Sequence, residues 1–339
     1  MAGLLLSLAT LLGLGAGERP TVLVVVGAEG TEEYGRQFRQ WAGRWKDACE
    51  KGHADFAAIG LDEPGETSDH DLLERRLADE TAAGRQEPLW LILIGHGTFD
   101  GKTARFNLRG PDFSSGELAA WLTSFERPLA VINCASASGP FINDLSGPNR
   151  VVITATKSGF EHNFARLGDY LSAAIGDPKA DLDKDDETSL LEAFLLAAGR
   201  VKEFYDSDAR LATEHALVDD NGDRLGTPAD WFQGVRATKS AQDGASLDGL
   251  RASQFQLVTG SVTQRLTLEA RQRRDELEAA VARLRQQKGS LPADDYYAQL
   301  EPLLVQTARL YDEVPPSLPE KNGVRDDEST TEPPTDGPK

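Results

Sequence analysis

Apolar and polar positions along the chain follow two alternating rhythms. Thr21 to Val26 (TVLVVV), Leu89 to Ile94 (LWLILI), Leu129 to Asn133 (LAVIN) and Arg150 to Ala155 (RVVITA) are short continuous apolar runs. Rich in β-branched residues, they have the pattern of strands buried on both faces. Ala54 to Ile59 reads as a further short strand. Between these runs Glu32 to Lys51, Asp71 to Ala83 and Ser115 to Phe125 read as helices, the last capped by Ser114 or Ser115, and a short helix is predicted around Phe141 to Leu145. Strands that alternate with helices predict an α/β fold with a mostly parallel sheet covered on both sides. Ligands in such folds bind beyond the carboxyl ends of the strands.

The rhythm changes after Gly226. From Val262 to Gln287 apolar residues Leu266, Ala270, Leu277, Val281 and Leu284 recur at helical spacing, Gly289 to Pro292 interrupts, and Asp294 to Val314 resumes the pattern. This predicts a helical hairpin. Its other face, dense in Arg and Glu, is either solvated surface or a coil that contacts a partner. Pro315 to Lys339 is Pro-rich and almost free of apolar residues, the composition of a disordered tail. At the other end Met1 to Gly17 has the length and apolar core of a signal peptide, with Gly15 and Gly17 suited to cleavage, although no Lys or Arg precedes the core. A secreted or periplasmic location is expected, with an N-terminal anchor or a misassigned start as alternatives. No other stretch approaches the roughly 20 apolar residues that span a bilayer, so no transmembrane segment is expected in the mature chain. The expected organisation is a signal peptide at 1–17, an α/β domain at 18–235, a linker and hairpin at 236–314, and the tail.

Composition narrows the function classes. The 339 residues, 40% hydrophobic, suffice for a sizeable core, and 36 basic against 55 acidic residues give a formal charge of −19. That balance disfavours nucleic acid or an anionic membrane as partner. Two cysteines, Cys49 and Cys134, are too few for a disulfide framework.

Two strand ends carry candidate chemistry. Gly95-His96-Gly97 follows LWLILI, and a His between two glycines presents its ring beside a backbone that a substrate can approach closely. It is either a general base or a histidine that closes the strand. Asn133 to Gly139 (NCASASG) follows LAVIN and offers the Cys134 thiol and the Ser136 and Ser138 hydroxyls. If the two strands are neighbours, the two loops lie side by side, as a nucleophile and its base require. Side chains alternate in direction at a strand end, so one of Cys134 and Ala135 faces away from the cleft. No acidic residue stands out to orient the imidazole, although Asp100 is near in sequence.

An apolar strand ending in His-Gly and a second ending in a small-residue turn with Cys resemble the caspase, gingipain and legumain group of cysteine peptidases, legumain in particular. Thr154-Ala155 and Leu167-Gly168-Asp169-Tyr170 match later segments of the legumain pattern. The resemblance implies a caspase-like three-layer sandwich and hydrolysis of a peptide or protein substrate, with His96 as base and backbone N–H groups near Gly97 as oxyanion donors. Laying Ser138-Gly139 on the family's Ser-Gly puts Ser136 at the nucleophile position and Cys134 where an acidic residue belongs. In the other register Cys134 is the nucleophile and the loop is longer. The chain is then a cysteine-type peptidase, a serine variant or a non-catalytic binding or scaffold protein. The resemblance also points to Thr156 to Arg166 as a recognition loop, with Ser158, Glu161 and Arg166 able to meet a polar substrate side chain.

Asp181 to Glu192 (DLDKDDETSLLE) carries oxygen ligands at the spacing of an EF-hand calcium loop: Asp181, Asp183, Asp185 and Ser189 by their side chains, Glu187 by its carbonyl and Glu192 by both carboxylate oxygens. Asp186 stands where Gly makes the sharp turn. The alternative is an acidic helix start capped by Thr188 or Ser189. Asp219 to Asp223 (DDNGD) repeats part of the spacing without a final Glu, as half a site or an Asx-rich turn.

Overall fold

The computed structural model describes residues 19–312 other than 208, 243 and 244. The export segment expected at 1–17 and the tail at 315–339 lie outside them. Four of the apolar runs become adjacent parallel strands: β1 (Thr21–Val26), β3 (Leu89–Ile94), β7 (Leu129–Asn133) and β8 (Arg150–Thr154). With β2 (Asp55–Ile59) they form the parallel body of a seven-stranded sheet, in the order β2-β1-β3-β7-β8. Two short antiparallel strands, β9 (Leu217–Asp219) and β10 (Thr227–Pro228), complete the edge beyond β8.

Alternate residues of each strand feed two cores, because successive side chains leave opposite faces. Val22, Val24, Trp90, Ile92, Ala130 and Ile132 pack under α1 (Glu32–Gly52), α5 (Leu167–Ala174) and α6 (Leu190–Ser207). Leu23, Val25, Leu91, Leu93 and Val131 pack under α2 (Asp69–Ala82), α3 (Ser115–Trp121) and α4 (Pro140–Leu145). The result is the three-layer α/β sandwich expected from the alternation. After β3 the chain makes a small antiparallel sheet of β4 (Gly97–Phe99), β5 (Ala104–Phe106) and β6 (Phe113–Ser114), which lies over the carboxyl end of the parallel strands. A short α7 (Leu250–Gln254) precedes a pair of long helices, α8 (Leu268–Gln286) and α9 (Ala293–Asp312). No helix among the described residues is long and apolar enough to cross a membrane.

Candidate active site

Register brings the two candidate loops together. Leu93 of β3 faces Asn133 of β7, and the Cys134 N–H donates to the Leu93 carbonyl at 2.9 Å, so the chain leaves both strands at the same level. Gly97 then meets Ser136 directly: the Gly97 N–H donates to Ser136 Oγ at 3.3 Å, and that hydroxyl donates to the Gly97 carbonyl at 3.2 Å. The approach requires a glycine, since a Cβ on residue 97 would stand 2.3 Å from the Ser136 carbonyl oxygen.

His96 is half-buried in an aromatic setting, with ring centroids 5.0 Å from Tyr34, 5.3 Å from Phe38 and 6.0 Å from Phe164. Its Nε2 lies 3.3 Å from the Glu29 carbonyl oxygen. A carbonyl only accepts, so Nε2 carries the proton and Nδ1 keeps its lone pair. Burial lowers the imidazole pKa against the opposing pull of that carbonyl, which favours the neutral ring a base needs. The Glu29 carbonyl thus fixes the tautomer and the orientation of the His96 ring. Asp100 is committed elsewhere. It accepts from Lys102 N, Thr103 N and Arg105, and those bonds, the Thr103 N–H foremost, hold it down to about 2. No hydrogen bond joins the His96 ring to Ser136 or Cys134 among the described residues.

Cys134 points the other way. It belongs to the core under α1 and α5, is 1% exposed, and burial pushes its thiol up to about 12. Its neighbour Ala135 belongs to the opposite core. A thiol so placed is a small apolar core side chain, not a thiolate at neutral pH, and this geometry opposes the register in which Cys134 attacks.

The turn that carries Ser136 is tied to the loop from 156 to 166. Ala137 N donates to the Glu161 carbonyl at 2.8 Å, Gly139 N to Thr156 Oγ1 at 3.0 Å, and Thr156 N to Ser138 Oγ at 3.2 Å. Of the residues expected to recognise substrate, Glu161 spends its carboxylate on Lys157 N and on His215, and Arg166 lays its guanidinium over Phe204, 3.9 Å from the ring centroid. Ser158 accepts from Phe160 N and, through its carbonyl, from Thr156. All three organise the loop. Glu214 and His215, which no motif marked, brace it from the segment before β9. The Glu214 carboxylate accepts from Arg166 N, Leu167 N and Tyr205, and burial raises it to about 7.

The acidic loop has two halves. Carboxylate oxygens of Asp181, Asp183 and Asp185 lie within 4.8 Å of one another. Asp181 accepts from the N–H groups of Lys184, Asp185 and Asp186, and Asp186, at the position where the calcium-loop pattern has glycine, makes the turn with φ of +68°. Burial, then neighbouring carboxylates, raises Asp183, and burial carries Asp185 to about 6. These three carboxylates are hard-oxygen donors, the ligand type that calcium takes. Glu192 departs from that set. One oxygen accepts from Leu182 N and Asp183 N, and the other takes Ser189 N and Oγ while Ser189 caps Glu192 N, which is a capping box. To bind an ion through both oxygens Glu192 would have to give up those bonds. The Glu187 side chain serves Gly260 N. In the second loop Asp219 accepts from Gly222 N and Arg224 N as an Asx-rich turn.

No protein family matches the chain, and no curated protein does. Among solved structures, the Drosophila initiator caspase Dronc is similar at 11% identity and a TM-score of 0.41, over 62% of this chain and 83% of its own. Caspase-1 from Spodoptera frugiperda is similar at 6% identity and a TM-score of 0.39, over 60% and 87%. Raptor from Chaetomium thermophilum reaches 9% identity and 0.36, over 87% of this chain but 26% of its own length. Such values describe chain path alone, and the chemistry rests on this chain's own residues.

Proposed function

We propose that the chain is a legumain-like peptidase that hydrolyses peptide bonds with Ser136, not Cys134, as nucleophile. The observation that carries the reading is Ser136 Oγ against the Gly97 N–H, one residue from a histidine whose tautomer a backbone carbonyl sets. In the proposed reaction the hydroxyl turns away from the Gly97 carbonyl and gives its proton to His96 Nδ1 as Oγ attacks the scissile carbonyl carbon. The Gly97 N–H, released, donates to the oxyanion. Collapse expels the amine with the proton from His96, and water, activated by the same nitrogen, cleaves the acyl-serine ester. Export through Met1 to Gly17 belongs to the same reading, and N-terminal sequencing of the secreted chain tests it.

The non-catalytic reading has its own support: the hydroxyl spends both its hydrogen-bonding functions on Gly97. A peptide library separates the two. The peptidase reading expects cleavage by the wild type and by Cys134→Ala, and none by Ser136→Ala or His96→Ala. Binding of library peptides without cleavage by any form would leave a binding protein.

A further inference from the structure

We propose that His215 is a positioning residue of this site: through Glu161 it holds the turn that presents Ser136. The inference takes its functional meaning from the peptidase reading, but its evidence is structural. Ala137 adopts φ of +55°, a left-handed conformation that a residue with a side chain keeps only where its surroundings impose it. The Glu161 carbonyl imposes it, accepting the Ala137 N–H at 2.8 Å.

Glu161 is in turn fixed by its own side chain. Oε2 accepts from Lys157 N at 2.9 Å and from His215 N at 3.3 Å, and Oε1 meets His215 Nδ1 at 2.5 Å. A carboxylate accepts, so Nδ1 carries a proton and the bond is charge-assisted. The Glu161 side chain is 13% exposed and that of His215 42%, so solvent screens the pair only in part. Lys157 Nζ lies 4.0 Å from the same carboxylate. Glu214, the preceding residue, holds Arg166 N and Leu167 N. One dipeptide therefore meets the loop from 157 to 166 at two points, its middle through Glu161 and its end through Arg166, and the contact at Glu161 is the one that reaches Ala137, next to Ser136.

Two substitutions of the half-exposed histidine test the idea in the full-length chain. The Asn side-chain amide can place an N–H near the position of Nδ1, whereas Gln reaches the position of Nε2. Hydrogen exchange at the Ala137 amide should rise on the order of tenfold in His215→Gln, with exchange in the sheet unchanged, and return towards wild type in His215→Asn. Where turnover is measurable, kcat should fall and recover in the same order at nearly constant KM. Unchanged protection at Ala137 in His215→Gln, or a loss across the whole sheet that Asn does not repair, would overturn the positioning role. The exchange pattern without any wild-type turnover would sustain it and remove the peptidase reading instead.

Discussion

Cys134 and Ser136 stand two positions apart and meet different surroundings, the thiol in the core under α1 and α5 and the hydroxyl against Gly97. With its thiol raised to about 12 in a dry core, Cys134 should resist iodoacetamide at pH 7.5 in the native protein and react once urea unfolds it. Mass spectrometry of the alkylated peptide checks this, and rapid native alkylation that depends on His96 would restore the thiol as nucleophile. Strand parity already allowed one of Cys134 and Ala135 to face away, but parity alone does not say which. The Glu29 carbonyl left no signal in the sequence, because a backbone acceptor contributes no residue type to a motif. For Glu161 and Arg166, charge alone did not reveal that they bind their own chain.

Elements built from continuous apolar runs were legible nearly to the residue. Thr21–Val26, Leu89–Ile94 and Leu129–Asn133 are strands with the expected bounds. The three short strands after His96 were not anticipated, since two or three residues carry no periodicity. Nor was α5 anticipated; its Leu-Gly-Asp-Tyr start was read only through resemblance. The packing of that helix explains its glycine. A Cβ on Gly168 would stand 2.7 Å from the Trp41 ring and 2.9 Å from Cys134 Cβ. Gly168→Ala should therefore cost about 1–3 kcal/mol of stability by overpacking, read from urea unfolding. A neutral effect would mean that α5 stands farther from the sheet than described.

At the scale of the molecule, buried carboxylates set the response to pH. Burial raises Glu214 to about 7 and also raises the closely packed Asp220 and Asp248. A carboxylate with a raised folded-state pKa binds its proton more tightly folded than unfolded. Its stabilising contribution is complete below the ordinary carboxylate range and is lost as pH climbs through the folded-state value. The urea midpoint should fall as pH is raised from 5 to 8, with a shallower fall in Glu214→Gln; a midpoint that rises over that interval would refute the assignment. Calcium belongs to this scale as well, because the Asp181 loop ties the segment after α5 to α6 and, through Glu187, to Gly260. If the loop binds calcium, millimolar ion should raise the melting temperature and Asp181→Ala or a chelator should abolish the gain, while indifference to both would leave Glu192 and Ser189 as a helix cap alone. The central claim is that Ser136 is the reactive group beside His96. Treating the native protein with a fluorophosphonate and mapping the adduct by mass spectrometry tests it most directly. The account predicts a single adduct on Ser136, lost in His96→Ala and retained in Cys134→Ala. No adduct at Ser136 in a folded protein that cleaves peptides would contradict it.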